Sequence, residues 1–324
     1  MGYPIVGCLP EMMKNKPTFR WIHQLMQEMN TEIACIRLGN THVIPVTSPE
    51  LAREFLRKQD VVFASRPDCM SGKLTSTGYL TAVLSPMGDQ WKKMRRIVAS
   101  EVLSPTMNRW LYGKRCEEAD HLIKYVYKQS QNQLTNGLVN VRIAAQLYCG
   151  NVIRKLMFSK RFFGTGMEGG GPGLEEEEHV DGLFTILKYL YGFGIADYLP
   201  WLEVFDLDGH KRILKDAIKS VRKYQDPEIN KRIEMWKQGI RKTEEDLLDI
   251  TGRRGCPAIV LGSTMTVILL ARLIQGFSWS TPRDGPSNII DLAESKEDLS
   301  MAKPFISHAI PRLEPHVYQK LMHN

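Results

Sequence analysis

Residues 251–256 read Thr-Gly-Arg-Arg-Gly-Cys, and a strongly apolar run follows at once from Pro257. The glycines at 252 and 255 let the backbone approach a flat ligand closely because they carry no Cβ. The two arginines between them offer planar hydrogen-bond forks that suit carboxylates. Cys256 stands just before a predicted helix, whose positive dipole end favours the thiolate form. This combination suits an iron porphyrin held by cysteine, and on the hexapeptide alone a buried core cysteine fits equally well.

A second cluster, Trp91-Lys92-Lys93-Met94-Arg95-Arg96, lies in a predicted helix at about Gln90–Val102. Trp91 and Arg95 are four residues apart, so on a helix they share one face. An indole N–H and a guanidinium together suit a carboxylate attached to an aromatic plane. The alternative is a solvated basic helix with one buried tryptophan.

The patterns Gly252-x-Arg254-x-Cys256 and Trp91-x-x-x-Arg95 resemble the haem-binding elements of the cytochrome P450 monooxygenases. The run 251–256 is similar to that of the plant subgroup that N-hydroxylates amino acids. The resemblance implies a mainly α fold with a small β-sheet and a haem b cofactor. It also implies Cys256 as the axial ligand of the haem iron, Trp91, Arg95 and Arg254 as holders of the haem propionates, and Gly252 as part of the haem loop.

The same resemblance implies a reaction and a location. Members of the subgroup convert an amino acid to its aldoxime by successive N-hydroxylations, with oxygen and with electrons that NADPH supplies through a reductase. They act at the cytosolic face of the endoplasmic reticulum membrane. The basic side chains Lys92, Lys93, Arg96 and Arg253 would steer an acidic reductase, and an ordinary solvated surface explains them equally well. The segments 302–304 (Ala-Lys-Pro) and 311–313 (Pro-Arg-Leu) strengthen the subgroup assignment.

The composition of the chain limits the kinds of protein and of binding partner that fit the sequence. The chain has 324 residues, 43% hydrophobic and 24% charged, which is typical of a soluble globular protein. Six scattered cysteines without a Cys-x-x-Cys pair argue against a zinc site or a disulfide framework. The net charge of +7 admits nucleic acid, an anionic membrane surface or an acidic partner. No nucleic-acid module is recognisable, so we predict no nucleic-acid partner and allow a peripheral membrane contact.

Periodicity predicts a mostly helical chain. An amphipathic helix opens at Pro17-Thr18, a hairpin turns at Gly39-Asn40, and Ser48 caps the next helix. Longer helices are predicted at about 90–102, 105–129, 139–158, 178–191 and 207–236, with a kink at Pro227 and a further buried helix after Cys256. A small sheet is expected to form from both ends of the chain.

Two loops carry separate expectations. Asp68–Asp89 is predicted as a loop, and its part Cys69–Leu84 corresponds to a region that often contacts substrate in the family. The glycine-rich and then acidic segment Gly164–Glu178 is predicted to be a mobile surface loop. Its Gly-x-Gly-x-x-Gly spacing lacks a following helix start and meets four glutamates, so we reject nucleotide binding.

The chain departs from the family pattern in two places. Neither the central helix that lies over the haem nor the Glu-x-x-Arg helix is found, and no catalytic residue is identifiable. We therefore expect one domain made of residues 1–250 and 251–324, with an internal stretch lost at Ile250/Thr251, and an N-terminal anchor missing before the proline-rich residues 4–10. The leading hypothesis is a haem-dependent monooxygenase. The alternative is a catalytically inactive truncated fragment that at most binds haem.

Overall fold

The structure, a computed structural model, describes residues 2–81, 83–102, 104–164, 172–190, 192–240, 243, 245, 259–282, 292–295 and 301–323. These residues are mainly helical. The helices are α1 (Leu9–Lys14), α2 (Thr18–Glu28), α3 (Pro49–Arg53), α4 (Asp60–Phe63), α5 (Met70–Thr75), α6 (Asp89–Ile97), α7 (Pro105–Trp110), α8 (Tyr112–Ser130), α9 (Val141–Phe158), α10 (Leu174–Leu190), α11 (Ile195–Tyr198), α12 (His210–Lys237), α13 (Ile259–Gly276) and α14 (Pro315–His323). The strands are β1 (Ile36–Leu38), β2 (Thr41–Val43), β3 (Leu138–Asn140), β4 (Phe277–Ser280) and β5 (Ile306–Pro311). The predicted mainly α fold is confirmed.

The chain forms two compact units, each built from three stretches. Unit 1 contains Met1–Lys92, Leu183–Ile218 and Ala293–Ala302. Unit 2 contains Lys93–Gly182, Lys219–Leu292 and Lys303–Asn324. The predicted division of a single domain into residues 1–250 and 251–324 stays a prediction.

Unit 1 is organised around a small apolar cluster under the hairpin. Strands β1 and β2 pair antiparallel, and Leu38 faces Thr41 across the predicted Gly39-Asn40 turn. Leu9 and Met12 of α1 pack with Ile36 and Leu38 of β1, and both ends of this contact are almost fully buried. The amphipathic helix predicted at Pro17-Thr18 is present as α2. The predictions for this part of the chain are therefore confirmed.

The helix after Ser48 is only partly as predicted. Ser48 does cap it, because its Oγ accepts a hydrogen bond from the N–H of Leu51 at 3.2 Å. After α3 the helix continues as a π-helical turn, Glu54–Lys58, which shifts the phase of the side chains. Leu56 on this turn is 77% exposed. Glu54 forms an i,i+4 ion pair with Lys58 at 2.8 Å.

Unit 2 has the larger core, in which α8 lies at the centre. Helix α9 packs along α8, and α13 and α14 also contact α8. The side chains that form this core are almost fully buried and come from all four helices and the sheet. Among them are Leu122, Val126, Tyr148, Val152, Met265, Leu273, Phe277 and Tyr318. The helix predicted after Cys256 is present as α13, but the prediction that it is buried holds for one side alone among its described side chains, since Val267, Leu270 and Ile274 are exposed.

The sheet predicted from both ends of the chain is wrong in its composition. Strands β1 and β2 form a separate two-stranded sheet, and the second sheet has the order β3-β5-β4. Strand β3 comes from the middle of the chain, where the helical pattern of the following segment concealed it. Asn140 ends β3 and caps α9, because its Oδ1 accepts a hydrogen bond from the N–H of Ile143 at 3.2 Å. Helix α14 was also missed, since its segment is rich in prolines; Pro315 stands at its first position.

Candidate functional site

Helix α6 carries the two predicted propionate-binding residues that the structure describes. The N–H of Lys92 donates to the carbonyl of Gly88 at 2.9 Å, which begins the helix. Met94 is completely buried and fixes one side of α6. Trp91 is half-buried and Arg95 is exposed. Because the two residues are four apart on one helix, both project from the same side of α6, as predicted.

The cysteine loop falls outside the described residues. Gly252, Arg254 and Cys256 belong to residues 246–258, so their predicted roles in the haem loop stay predictions. The structure resumes with α13 at Ile259, three residues after Cys256. The helix predicted to follow the cysteine is therefore present.

The donor chemistry on α6 fits the acid groups of a porphyrin. An indole N–H donates one hydrogen bond, and a guanidinium donates up to five in a planar fork. Two such donors on one helix face suit a carboxylate beside a flat apolar ring system. The described residues thus include two of the predicted carboxylate-binding residues, whose role stays a prediction, and the predicted thiolate ligand lies in the residues not described.

The predicted basic surface of α6 is exposed. Lys92, Lys93 and Arg96 are all solvent-accessible. Lys92 approaches Asp89 of the same helix at 4.0 Å, a distance at which exposed charges contribute little to stability. The side chains are accessible to a partner. Arg253, the fourth member of the predicted patch, lies outside the described residues.

The predicted substrate-contact segment Cys69–Leu84 is not a continuous loop, because it contains the short helix α5. Within unit 1, the N–H of Met70 donates to Oδ1 of Asp197 at 2.7 Å. The hydroxyl of Ser71 donates to the carbonyl of Leu190 at 3.1 Å. Tyr79 accepts from the N–H of Cys69 at 2.8 Å and donates back to its carbonyl at 2.7 Å. These bonds give the segment a defined conformation that the sequence did not reveal.

Asp197, the acceptor for Met70, is a half-buried acid. Burial raises the pKa of its carboxyl, and the hydrogen bond from Met70 opposes that rise. Sequence reasoning missed Asp197. The signal in the sequence was a single acidic residue, next to Tyr198, within an otherwise apolar segment.

The segment Gly164–Glu178 is not a surface loop where it is described, since residues 174–178 begin α10 and Glu176 is completely buried. Its carboxylate accepts hydrogen bonds from the N–H groups of Phe163 at 2.8 Å, Gly164 at 2.9 Å and Gly173 at 2.8 Å. A carboxylate at Gly164 repels phosphate, which supports the rejection of nucleotide binding. Residues 165–171, which carry the rest of the glycine pattern, lie outside the described residues.

A buried polar network in unit 2 joins α9, α10 and α12. Arg154 is completely buried and donates from Nε to the carbonyl of Arg161 at 3.0 Å. Its Nη1 lies 3.2 Å from Nδ1 of His179, and its Nη2 donates to Asn151. Burial, and then the charge of Arg154, lower the pKa of His179 to about 4. The imidazole is therefore neutral at pH 7 and accepts from the guanidinium.

A second buried group, Glu118, lies on α8 beside a cavity of about 20 Å³. This volume accommodates one water molecule. Burial raises the pKa of Glu118, and an ion pair with Arg161 at 3.2 Å opposes the rise. Burial lowers the pKa of the neighbouring His121 to about 4. Glu117, Glu118 and His121 lie close together, but Lys155 and Arg161 already neutralise the two carboxylates, so we assign no metal to them.

Comparison with known proteins identifies the family. The sequence model of the family "Cytochrome P450" matches residues 1–251. A cytochrome P450 of zebra fish solved with progesterone superposes with a TM-score of 0.52 and 20% identity, over 76% of this chain and 53% of that chain. The chain therefore belongs to the cytochrome P450 family.

Curated relatives refine the comparison. A tryptophan N-monooxygenase of Prunus mume is 56% identical over 248 residues, which cover 76% of this chain and 46% of the relative. An isoleucine N-monooxygenase of Lotus japonicus is 37% identical over 482 positions, which cover 98% of this chain and 90% of the relative. Over the 248 residues matched to the Prunus relative, this chain covers 46% of that protein, so it spans about half the length of this relative. The chain is thus similar to plant amino-acid N-monooxygenases.

The two alignments together indicate an internal gap. Since 98% of 324 residues is about 318 residues, about 164 of the 482 positions aligned with the Lotus relative have no counterpart in this chain. The family match ends at residue 251, next to the predicted seam at Ile250/Thr251. Among the described residues, no helix is both long enough and apolar enough to cross a bilayer.

Proposed function

We propose that this chain derives from a haem-thiolate monooxygenase that N-hydroxylates an amino acid to its aldoxime. The observation that carries the proposal is the combination of 56% identity to a tryptophan N-monooxygenase with the paired Trp91 and Arg95 on α6. Relatives at 34–55% identity are named for valine, isoleucine, phenylalanine and tyrosine. The shared chemistry is therefore that of an α-amino acid, and its side chain is left unspecified.

In this proposal each residue of the site has a defined task. Cys256 would ligate the iron of haem b through its thiolate, Arg254, Trp91 and Arg95 would bind the propionates, and Gly252 would let the loop approach the porphyrin. Bound haem supplies the iron centre at which molecular oxygen is activated. The basic side chains Lys92, Lys93, Arg96 and Arg253 orient an acidic NADPH-dependent reductase, which delivers the electrons. The location is the cytosolic face of the endoplasmic reticulum membrane.

Hemin binding tests the carboxylate-binding role of α6. Arg95→Ala removes a charge-assisted hydrogen bond, which is worth about 1.5–3 kcal/mol, so we expect the Kd for hemin to rise at least tenfold. Trp91→Phe, which keeps the ring and removes the N–H, is expected to weaken binding less. Lys93→Ala is the matched control, because Lys93 is also an exposed cation on α6. Equal Kd values for the Arg95 variant and the control would contradict the assignment.

A second candidate function, an inactive fragment that at most binds haem, is favoured by the internal gap of about 164 positions. An open haem face admits water, which weakens substrate positioning and oxygen chemistry. The two candidates differ in one measurement. If this chain forms an aldoxime when a plant reductase and a set of amino acids are supplied, the result supports the monooxygenase. If it binds hemin and forms no product, the result supports the inactive fragment.

A further inference from the structure

Two polar atoms in the core of unit 2 have no hydrogen-bond partner among the residues that the structure describes. They are Oε1 of Glu118 on α8 and the hydroxyl oxygen of Tyr148 on α9. Glu118 is 1% exposed and Tyr148 is 2% exposed, so bulk water does not reach either side chain. A buried polar atom without a partner is costly, because it has given up its hydrogen bonds to water and gained none in exchange.

Both side chains line the same small cavity in unit 2. Helices α8 and α9 supply most of its wall, and its volume is about 20 Å³. A water molecule needs roughly 10–15 Å³, so the cavity holds one water molecule and excludes any larger ligand. The cavity therefore brings together the two features that a buried water site requires, which are sufficient space and polar atoms in need of partners.

The charges around the cavity favour a neutral ligand over a cation. The second carboxylate oxygen of Glu118, Oε2, pairs with Arg161 at 3.2 Å, so this carboxylate already has a counterion. His121 also lines the cavity, and burial lowers its pKa to about 4, so its imidazole is neutral at pH 7. A cation would bring an additional buried charge with no carboxylate left to balance it, whereas water brings none.

We propose that one structural water molecule binds in this cavity and joins α8 to α9. It donates a hydrogen bond to Oε1 of Glu118 and accepts one from the hydroxyl of Tyr148. Both side chains are satisfied in this arrangement, since a carboxylate accepts and a phenol donates. A buried water typically makes about three hydrogen bonds, and Asn151 offers a further polar group in the wall. The proposal does not depend on haem binding or on the proposed function.

The stability of Tyr148→Phe distinguishes a hydrated hydroxyl from one without a partner. If the hydroxyl bonds to the water, the variant loses a hydrogen bond, so we expect the equilibrium constant for unfolding to rise about three- to tenfold. Removing a buried hydroxyl that has no partner would instead leave the stability unchanged or raise it. Urea unfolding provides the measurement. Tyr127→Phe is the control, because Tyr127 is partly buried on α8 and does not line the cavity; it should change the constant less than about twofold.

Oxygen-17 magnetic relaxation dispersion counts the bound water directly, because it detects water molecules that exchange slowly with the solvent. Ala144 lines the cavity and is 1% exposed, so Ala144→Val fills the space that the water occupies. We expect the parent chain to hold one more slowly exchanging water molecule than this variant. Ala145→Val is the matched control, because Ala145 is the next residue of α9 and does not line the cavity; it should keep the count of the parent.

Three results would overturn the proposal. The first is a Tyr148→Phe chain that is as stable as the parent or more stable. The second is an Ala144→Val chain that keeps the circular dichroism of the parent and also its water count. The third is a parent chain that potassium chloride stabilises more than choline chloride does, with a smaller difference in Ala144→Val, since this result would assign the cavity to a cation. If Ala144→Val does not fold, Tyr148→Phe decides, because it removes a single oxygen atom.

Discussion

Glu176 holds both ends of the segment that leads into α10. Its carboxylate accepts three backbone N–H groups, from Phe163, Gly164 and Gly173, in a completely buried position. Hydrogen bonds to a charged acceptor contribute about 1.5–3 kcal/mol each, and a buried donor left without a partner costs a similar amount. One side chain therefore joins Phe163 and Gly164 to Gly173.

Removing this carboxylate is expected to destabilise the protein strongly. Glu176→Ala leaves three N–H groups without their acceptor, so we expect the free energy of unfolding to fall by about 3 kcal/mol or more. Urea unfolding followed by circular dichroism measures the change. Glu177→Ala is the control, because Glu177 is exposed, and it should change the stability by less than about 0.5 kcal/mol. Equal losses in the two variants would contradict the role given to Glu176.

His179 gives the fold a dependence on pH. Burial and Arg154 lower its pKa to about 4 from an ordinary value of 6.5, and Glu176 acts weakly in the opposite direction. Between these two values the unfolded chain binds a proton that the folded chain does not bind. Stability is therefore complete above pH 6.5 and is lost as the pH falls toward 4.

The expected effect of His179 is about 2 kcal/mol between pH 7 and pH 5. His179→Gln retains an acceptor for Arg154 but has no titratable group, so the variant should lose less stability over this range than the parent chain. Urea midpoints at the two pH values provide the measurement, with the exposed His316→Gln as control. If the parent and the His179 variant lose the same stability, the buried neutral imidazole is not the cause.

At the level of residues, the sequence predicted exposed polar side chains better than it predicted buried ones. Trp91 and Arg95 could be paired because a helix places residues four apart on one face. Arg154 and Glu176 could not be placed, because whether a charged residue is buried depends on partners that are distant along the chain. An arginine within the apolar stretch of α9 was the only signal for this network.

At the level of elements, the β1–β2 hairpin depends on one glycine. Gly39 has φ of +56°, and a Cβ there would lie 2.3 Å from the carbonyl oxygen of Tyr198. The N–H of Asn40 donates to the same carbonyl at 3.1 Å, so the turn and the Tyr198 segment are in direct contact. Both the backbone conformation and the space exclude a side chain at this position.

Gly39→Ala is therefore expected to lower the free energy of unfolding by about 2 kcal/mol or more, from strain at positive φ and from the backbone clash. Thermal unfolding measures the loss as a decrease in Tm. Asn40→Ala, which affects the adjacent turn residue without requiring positive φ, should have a smaller effect. A Tm for the Gly39 variant equal to that of the parent would show that the turn can rearrange.

Local patterns predicted the long helices and the hairpin, because these depend on contacts between residues close in sequence. The pairing of β3 with β5 joins Leu138 to His308 and could not be seen locally. The same limit applies to α14, whose Tyr318 accepts from the N–H groups of Arg312 and Leu313 at 3.1 Å and donates to the carbonyl of Gly276. The helix is fixed by tertiary contacts that the local sequence, with prolines at 304, 311 and 315, does not indicate.

At the level of the whole molecule, the internal gap lies between the two predicted haem-binding motifs. Relatives have about 164 additional positions, and this chain has an apolar helix, α13, with one side in water. Both observations follow if the segment that precedes α13 in the relatives normally supplies a packing partner and part of the haem pocket. The family could be recognised from short motifs because the residues predicted to contact haem lie on both sides of the gap.

Restoring the segment tests this connection. We expect that inserting the corresponding region of the Lotus isoleucine N-monooxygenase between Ile250 and Thr251 covers the exposed side of α13 and permits amino-acid turnover. A flexible linker of the same length is the control, and it should change neither property. A chimera that folds but leaves α13 unprotected and shows no turnover would separate the gap from both effects. Hydrogen exchange of the α13 amides and aldoxime analysis provide the two readings.

The central claim is that the sulfur of Cys256 binds haem iron, and its most direct test is the absorption spectrum of the hemin-loaded, reduced chain under carbon monoxide. A thiolate ligand gives a Soret band at distinctly longer wavelength than a histidine ligand does. We predict the long-wavelength band for the parent chain and its loss in Cys256→Ser, while Cys149→Ser keeps it. A parent chain with only a histidine-type band, or a Cys256 variant with an unchanged spectrum, would contradict the account.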